Sequence, residues 1–264
     1  MRAKPAGAAR HRSDRSCRDS ARLTTARHAN PEIGMKNPTQ LAAHFAASDP
    51  VMAGLVNVVG RCGLTRRPRR GVFETLARSI ASQQISGLVA GRILERLEVR
   101  HGGRFPSPAE IAASPAQALR DVGFSFAKVA ALQDLAAKTL DGTLPPDNVL
   151  AGLDDEAVIE RCIAVRGIGR WTSQMLLMFT LGRPDVLPVD DFGVRNGFRL
   201  AYGLKGLPRP AALRSFGDRW RPFRSAAAWY LWRAVDLERD GRLPQRPGRA
   251  PRIAQVKPRA KAGA

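Results

Sequence analysis

The sequence predicts an all-α protein, and three observations carry the prediction. From Asn37 onward, apolar residues recur at three- and four-residue steps, the period of a helix buried along one stripe. No segment of four to eight residues alternates strictly enough to argue for a strand. Pro and Gly punctuate the chain at short intervals, as they do between short helices. In order, Phe73, Leu76, Ala77, Ile80, Ala81, Ile85, Leu88, Val89 and Ile93 read as the buried stripe of one long helix. Short helices follow, separated by Pro106-Ser107-Pro108, Ser114-Pro115, Gly123 and Leu144-Pro145-Pro146. Ser107 and Ser114 each precede a proline and then helix formers, which predicts a serine N-cap with proline at the first helical position. Asp154-Asp155-Glu156 places acids in the first turn of a helix running to about Val165, against the positive end of its dipole. An apolar helix is expected from Thr172 to Leu181.

The charge balance narrows the partner. The 264 residues hold 43 Lys+Arg against 23 Asp+Glu, a net charge of +20, which favours a polyanion, nucleic acid before anionic membrane. Much of that charge is terminal. Residues 1–36 carry nine basic and three acidic side chains, and residues 242–264 carry seven basic and no acidic ones, which leaves +7 on the body. The expected organisation is a disordered basic arm over 1–35, a helical body over 36–244, and a disordered basic tail over 245–264. No apolar run of about 18 residues exists, so no membrane span is expected. Cys17, Cys62 and Cys162 are odd in number and far apart. That spacing excludes a disulfide framework, a zinc site and an iron–sulfur cluster, and it reads as idle thiols in a reducing cytosol.

Two short stretches carry chemistry. Val165-Arg166-Gly167-Ile168-Gly169-Arg170 joins two helices, and its glycines, two apart, let the backbone approach another chain with N–H groups outward. At a helix N-terminus such donors suit a phosphate, although a tight connection with a glycine C-cap needs the same residues. Asp190 and Asp191 then follow in Leu187-Pro188-Val189-Asp190-Asp191-Phe192-Gly193. Adjacent carboxylates can be a solvated N-cap. Their short distance from the hairpin argues instead for a carboxylate held at a cleft.

These stretches resemble the helix-hairpin-helix DNA glycosylase superfamily, in its 3-methyladenine DNA glycosylase II (AlkA-type) branch. The resemblance covers roughly Val72 to Leu237, with four motifs in order. Ser79-Ile80-Ala81-Ser82-Gln83-Gln84-Ile85-Ser86 is similar to the helix whose end fills the vacated base stack. Gly123-Phe124-Ser125-Phe126-Ala127-Lys128 is similar to the turn opening its next helix. Val165 to Trp171 resembles the DNA-anchoring hairpin, and Trp220-Arg221-Pro222-Phe223-Arg224-Ser225 the lead into the last helix.

The resemblance implies two helical subdomains flanking an active-site cleft, within a glycosylase domain over 36–244 whose hairpin is 165–170. It implies Asp191 as the catalytic carboxylate, Asp190 as its capping or structural partner, and Trp171, Trp232 and Met175 as the base pocket. Gln84 would fill the stack, and Arg166, Gly167, Ile168, Gly169 and Arg170 would hold DNA. No cofactor and no metal are implied, apart from a monovalent cation at the hairpin carbonyls. Three positions depart from the family pattern: Arg166 where Pro is usual, the polar Gln84, and Met175 where an aromatic can sit. The N-terminal β-domain of the best-known member is not expected before Val72, where a compact, helix-only version is expected instead.

The chemistry is consistent with these residues. Cleaving an N-glycosidic bond passes through an oxocarbenium-like sugar, which a carboxylate stabilises. The base must first leave the stack. N-alkylated purines carry ring charge that an aromatic pocket of Trp171, Trp232 and either Trp229 or Tyr230 can hold. Their leaving group is already activated, so no strong general acid is required, and no His is placed to be one. The position where a lyase carries its amine is Trp171, and Thr172 to Arg199 contains no Lys, so monofunctional hydrolysis is expected. The expected partner is double-stranded DNA with damaged bases, met by a cytoplasmic, nucleoid-associated monomer. Two alternatives stay open: a glycosylase for etheno, deaminated or oxidised purines, and a non-catalytic DNA-binding module. The second has no use for Asp191 or two pocket tryptophans.

Overall fold

The computed structural model describes residues 38–64, 70–245 and 247–255. The expected arm and Cys17 lie outside the described residues. Every regular element among the described residues is helical; the one extended pairing is an isolated bridge between Pro208 and Gln255. None of these helices is long and apolar enough to cross a membrane.

Two layers build the body. The middle of the chain forms one: α3 (Val72–Ser82), α4 (Gly87–Arg100), α5 (Pro108–Ala113), α6 (Ala116–Val122), α7 (Phe126–Leu140), α8 (Asp147–Gly152), α9 (Asp155–Ile163) and α10 (Arg170–Leu176). The two ends of the described chain form the other: α1 (Pro38–Ser48), α2 (Pro50–Val59), α11 (Phe192–Ala201), α12 (Pro210–Gly217) and α13 (Arg224–Arg239). In the first, α3, α5 and α6 pack on α7; in the second, α2 and α11 pack on α13. A single apolar core runs through both.

Helix ends follow local chemistry. Ser107 caps α5 with Pro108 at its first position, and Glu110 closes a capping box. Asp154 caps α9 through Ala157 N–H at 2.8 Å. Ser114 departs from the expected pattern: α6 begins at Ala116, and the Ser114 hydroxyl turns back to donate to Glu110 O at 2.7 Å.

The stripe from Phe73 to Ile93 is two helices rather than one. The chain breaks at Gln83-Gln84-Ile85-Ser86, where Gln84 has φ 59° and Ser86 caps α4 through Val89 N–H. The stripe is buried only in part: α3 and Ile93 of α4 join one core, whereas Leu88 and Val89, in the first turn of α4, are exposed. The helix after the hairpin starts at Arg170, two residues earlier than expected, and from Leu177 to Leu181 it widens into a π-helix.

A buried carboxylate ties the outer layer together. Asp49, 2% exposed, caps α2 and accepts hydrogen bonds from Tyr202 Oη at 2.6 Å and Trp220 Nε1 at 2.9 Å. Trp220 is therefore a core residue. The segment 247–255 falls where an aperiodic tail is expected. It is aperiodic, yet Ile253 packs on the core and Arg209 N–H donates to Ala254 O at 2.8 Å.

Candidate active site

A cleft of about 760 Å³ opens between α3 and the α10–π helix, within the range of about 300–1,000 Å³ usual for small-molecule sites. Trp171, Met175 and Phe179 line one wall at four-residue spacing, one face of the helix, with Thr172 and Thr180 beside them. Thr75, Arg78, Ser79 and Ser82 form the α3 wall, and Gln83, Gln84 and Gly167 the rim. Arg78 is neutralised by Glu74 and Glu98 and lies 4.9 Å from the Phe105 ring centre. Ser79 and Ser82 hydroxyls donate to backbone carbonyls of their own helix. Among the described residues, no carboxylate, histidine or lysine lines the cleft.

Asp191 stands at the N-terminus of α11. Its Oδ1 accepts Val194 N–H at 2.7 Å, so Asp191 itself is the helix cap. The capping role expected of Asp190 is thereby corrected: Asp190 is exposed, one residue too early to reach the free N–H groups of the first turn. Two indoles complete the grip. Trp171 Nε1 donates to Asp191 Oδ2 at 2.8 Å, and Trp232 Nε1 to Oδ1 at 2.9 Å. Three donors thus hold the carboxylate at a helix N-terminus, where the dipole favours an anion.

The elements that deliver these groups are locked in turn. Arg224 grips Asp185 with Nε at 2.8 Å and Nη2 at 3.0 Å. Ser225 Oγ accepts Val186 N–H at 3.0 Å and donates to Arg183 O at 2.7 Å. These bonds hold the segment leading to Asp191 against the start of α13, the helix that carries Trp232. At Gly197 an added Cβ would sit 1.8 Å from Leu231 O, so only glycine lets α11 and α13 approach this closely. Phe179 stacks on Trp232, ring centres 6.1 Å apart, joining the cleft wall to the Asp191 cluster.

The hairpin presents Arg166, Gly167 and Gly169 to solvent and buries Ile168 as its apolar foot. Gly167 turns with φ 78°. Arg166 N–H is taken by Asp134 at 2.6 Å, which pins the turn to α7. The N–H groups of Gly169 and Trp171 meet no acceptor among the described residues and are open to an anion at the start of α10. Arg170 pairs with Glu156. Gly167 O accepts Gln83 Nε2 at 2.8 Å, and Val165 O accepts Ile168 N–H. The carbonyls of Ile163, Ala164 and Ile168 accept no hydrogen bond among the described residues, so the turn keeps oxygen lone pairs of the kind a monovalent cation uses.

The break between α3 and α4 is braced from two sides. Gln83 reaches the hairpin, and Lys128 Nζ donates to Ala81 O at 2.7 Å, an orphan carbonyl of the last α3 turn. Burial lowers the Lys128 pKa. Between these braces Gln84 is exposed at the rim in a left-handed conformation.

The structure thus gathers Asp191, Trp171 and Trp232, and places Met175 and Gln84 on the cleft. Trp229 and Tyr230 lie elsewhere: Tyr230 is buried with Oη on Gly60 O, and Trp229 packs edge-on against it. Phe179, Gln83 and Lys128 were not singled out from sequence as site residues. Phe179 continues the four-residue spacing of Trp171 and Met175, a signal that was present; the reach of Gln83 and Lys128 across the chain left none.

Comparison with known proteins agrees with this geometry. Residues 77–222 match the model of the HhH-GPD superfamily of base excision DNA repair proteins. The chain is 37% identical over 215 residues to DNA-3-methyladenine glycosylase 1 of Schizosaccharomyces pombe, covering 79% of this chain and 92% of that one. It is 31% identical to DNA-3-methyladenine glycosylase 2 of Escherichia coli, over 66% of this chain and 63% of the relative. Among solved structures it resembles the S. pombe 3-methyladenine DNA glycosylase Mag1 in complex with abasic DNA, with a TM-score of 0.68 and 36% identity. That match covers 75% of this chain and 98% of that one. On these matches the chain belongs to the HhH-GPD superfamily, in the branch of the 3-methyladenine DNA glycosylases.

Proposed function

We propose that this protein is a monofunctional DNA glycosylase that extrudes alkylated purines of the 3-methyladenine and 7-methylguanine type and hydrolyses their glycosidic bonds, in base excision repair. One observation carries the substrate class. Among the described residues the cleft wall has no carboxylate, histidine or lysine, so that wall offers the departing base no general acid. A base that leaves without one must be activated beforehand, and N-alkylation does this by placing positive charge on the ring. Trp171, half exposed in the wall, offers that ring a face for stacking and cation–π contact.

The remaining groups divide the work. Free amides at Gly169 and Trp171 take a DNA phosphate, and Gln84 occupies the space the base leaves in the stack. As the glycosidic bond stretches, Asp191 faces the positive charge that develops on the sugar, already oriented by its three donors. Water supplies the oxygen at C1′ and gives up a proton; the base departs with the bonding electron pair. Among the described residues no amine lines the cleft to form an imine, so the product is an intact abasic strand. On this reading the protein works as a monomer on nucleoid DNA in the cytoplasm.

The test is base release from duplexes that each carry one defined lesion. The expected order is 3-methyladenine and 7-methylguanine well ahead of hypoxanthine, etheno-adenine and 8-oxoguanine. Preference for a neutral lesion would overturn the substrate class, and release from none would overturn the activity.

A further inference from the structure

Several arginines on the body of this protein meet a carboxylate, among them Arg78, Arg104, Arg183, Arg221 and Arg224. On one surface unpaired cations from two separate segments are brought together by a docked stretch of chain. Lys205, Arg209 and Arg252 are exposed, and none forms an ion pair among the described residues. The last described segment brings them together. Arg209 N–H donates to Ala254 O at 2.8 Å, Gly206 N–H to Gln255 Oε1 at 2.7 Å, and Pro208 bridges Gln255. Ile253 anchors the segment in the core. Arg252, two residues before Ala254, is therefore held close to Arg209. The chain then continues with Lys257, Arg259 and Lys261.

The same surface is tied to the candidate active site. Arg195 Nε donates to Pro208 O at 3.0 Å, and Arg195 N–H to Asp191 O at 3.0 Å. Arg195 lies one helical turn beyond Asp191, and residues four apart share a face of a helix. Its terminal guanidinium nitrogens form no ion pair among the described residues. Gathering unpaired cations raises self-repulsion unless a polyanion accompanies them. They project from a loop and an extended segment laid side by side, which fits a linear run of charge better than a compact anion.

We propose that this surface is a second contact for the DNA backbone, separate from the hairpin, built by docking the 250–255 segment on the loop before α12. The choice of DNA as the polyanion rests on the glycosylase reading. The surface holds phosphates near the extruded nucleotide and adds to affinity, while the chemistry belongs to the cleft.

The test compares the full chain with Lys205→Ala/Arg209→Ala/Arg252→Ala by fluorescence anisotropy on a duplex, across a salt series. Each lost phosphate contact lowers the slope of log K against log salt by roughly 0.9, so a fall of about 2–3 is expected, with affinity down on the order of tenfold or more. The uncharged variant Gln255→Ala, which releases the clip and leaves every cation, is expected to lose part of the same slope. Removing two exposed arginines of α13, Arg233→Ala/Arg239→Ala, is expected to change the slope little. An unchanged slope in the triple variant would overturn the proposal and leave the surface to an acidic protein partner. An equal fall in the α13 variant would overturn it too, because the effect would then be one of total charge. Base release by the unaltered chain, measured in parallel, reports on the glycosylase reading independently of the slope.

Discussion

Gly193 offers a clean separation of stability from activity. It occupies the second position of α11, and a Cβ there would lie 2.8 Å from Trp232 Cδ1, 3.0 Å from Trp232 Nε1 and 3.1 Å from Asp191 Oδ1. Ordinary contact begins near 3.4 Å, so Gly193→Ala drives the indole back by roughly 0.6 Å. The Trp232–Asp191 hydrogen bond, now 2.9 Å, then leaves the range of about 2.7–3.2 Å in which such bonds are strong. A hydrogen bond to a charged group contributes about 1.5–3 kcal/mol. That is on the order of ten- to a hundredfold in rate. The figure is an upper bound, because Trp171 and Val194 N–H still hold the carboxylate. The fold has a compensating gain, since alanine is favoured over glycine in a helix by up to about 1 kcal/mol. Single-turnover base release is therefore expected to fall while Tm stays within a few degrees of wild type. Release at the wild-type rate would show the indole contact to be idle. A Tm collapse matching the lost activity would show instead that the variant had simply unfolded.

Other outcomes follow from the same geometry. Lys128→Met keeps the stem but removes the donor to Ala81 O, so base release is expected to fall about tenfold, the cost of one charged hydrogen bond, with part recovered in Lys128→Arg. Fluorescence of 2-aminopurine beside the lesion should report weaker extrusion in the Met variant. Borohydride should trap no protein–DNA adduct, and strands should break only after alkali, since Thr172 to Arg199 holds no lysine and none lines the cleft among the described residues. Burial pushes the thiols of Cys62 and Cys162 up to about 11, from 9.0 when exposed. Both should resist thiol reagents in the native protein at pH 8. Because the folded values are the higher ones, their contribution to stability is full below pH 9 and is lost as pH climbs from about 9 to 11, which alkaline unfolding curves can follow.

The hairpin and the all-α architecture were legible because their causes are local. Glycines two apart, serine or aspartate caps and a four-residue apolar step each act within a turn or two of chain. The split between α3 and α4 escaped the periodicity, since Leu88 and Val89 keep the apolar step although they are exposed; the local clue was Ser86-Gly87, a cap and helix start inside the stripe. The Asp191 cluster was legible only through family resemblance. Trp171 and Trp232 lie 20 and 41 residues from Asp191, and no spacing rule brings two indoles to one carboxylate across that separation. Asp190 and Asp191 are chemically equivalent in sequence. The start of α11 distinguishes them, because the first-turn amides come within reach of Asp191 alone.

The most direct test of the account is Asp191→Asn, read as single-turnover release from a duplex carrying one 7-methylguanine. The variant keeps side-chain shape and an oxygen for Val194 N–H, but it removes the charge and turns an NH₂ toward one indole donor. Release is expected to fall by at least about a hundredfold, the scale of losing a preorganised electrostatic contact. Affinity for the same duplex should stay close to wild type, because the hairpin amides and the basic surface are untouched. Release at the wild-type rate, with binding intact, would contradict the assignment of Asp191 and the mechanism built on it.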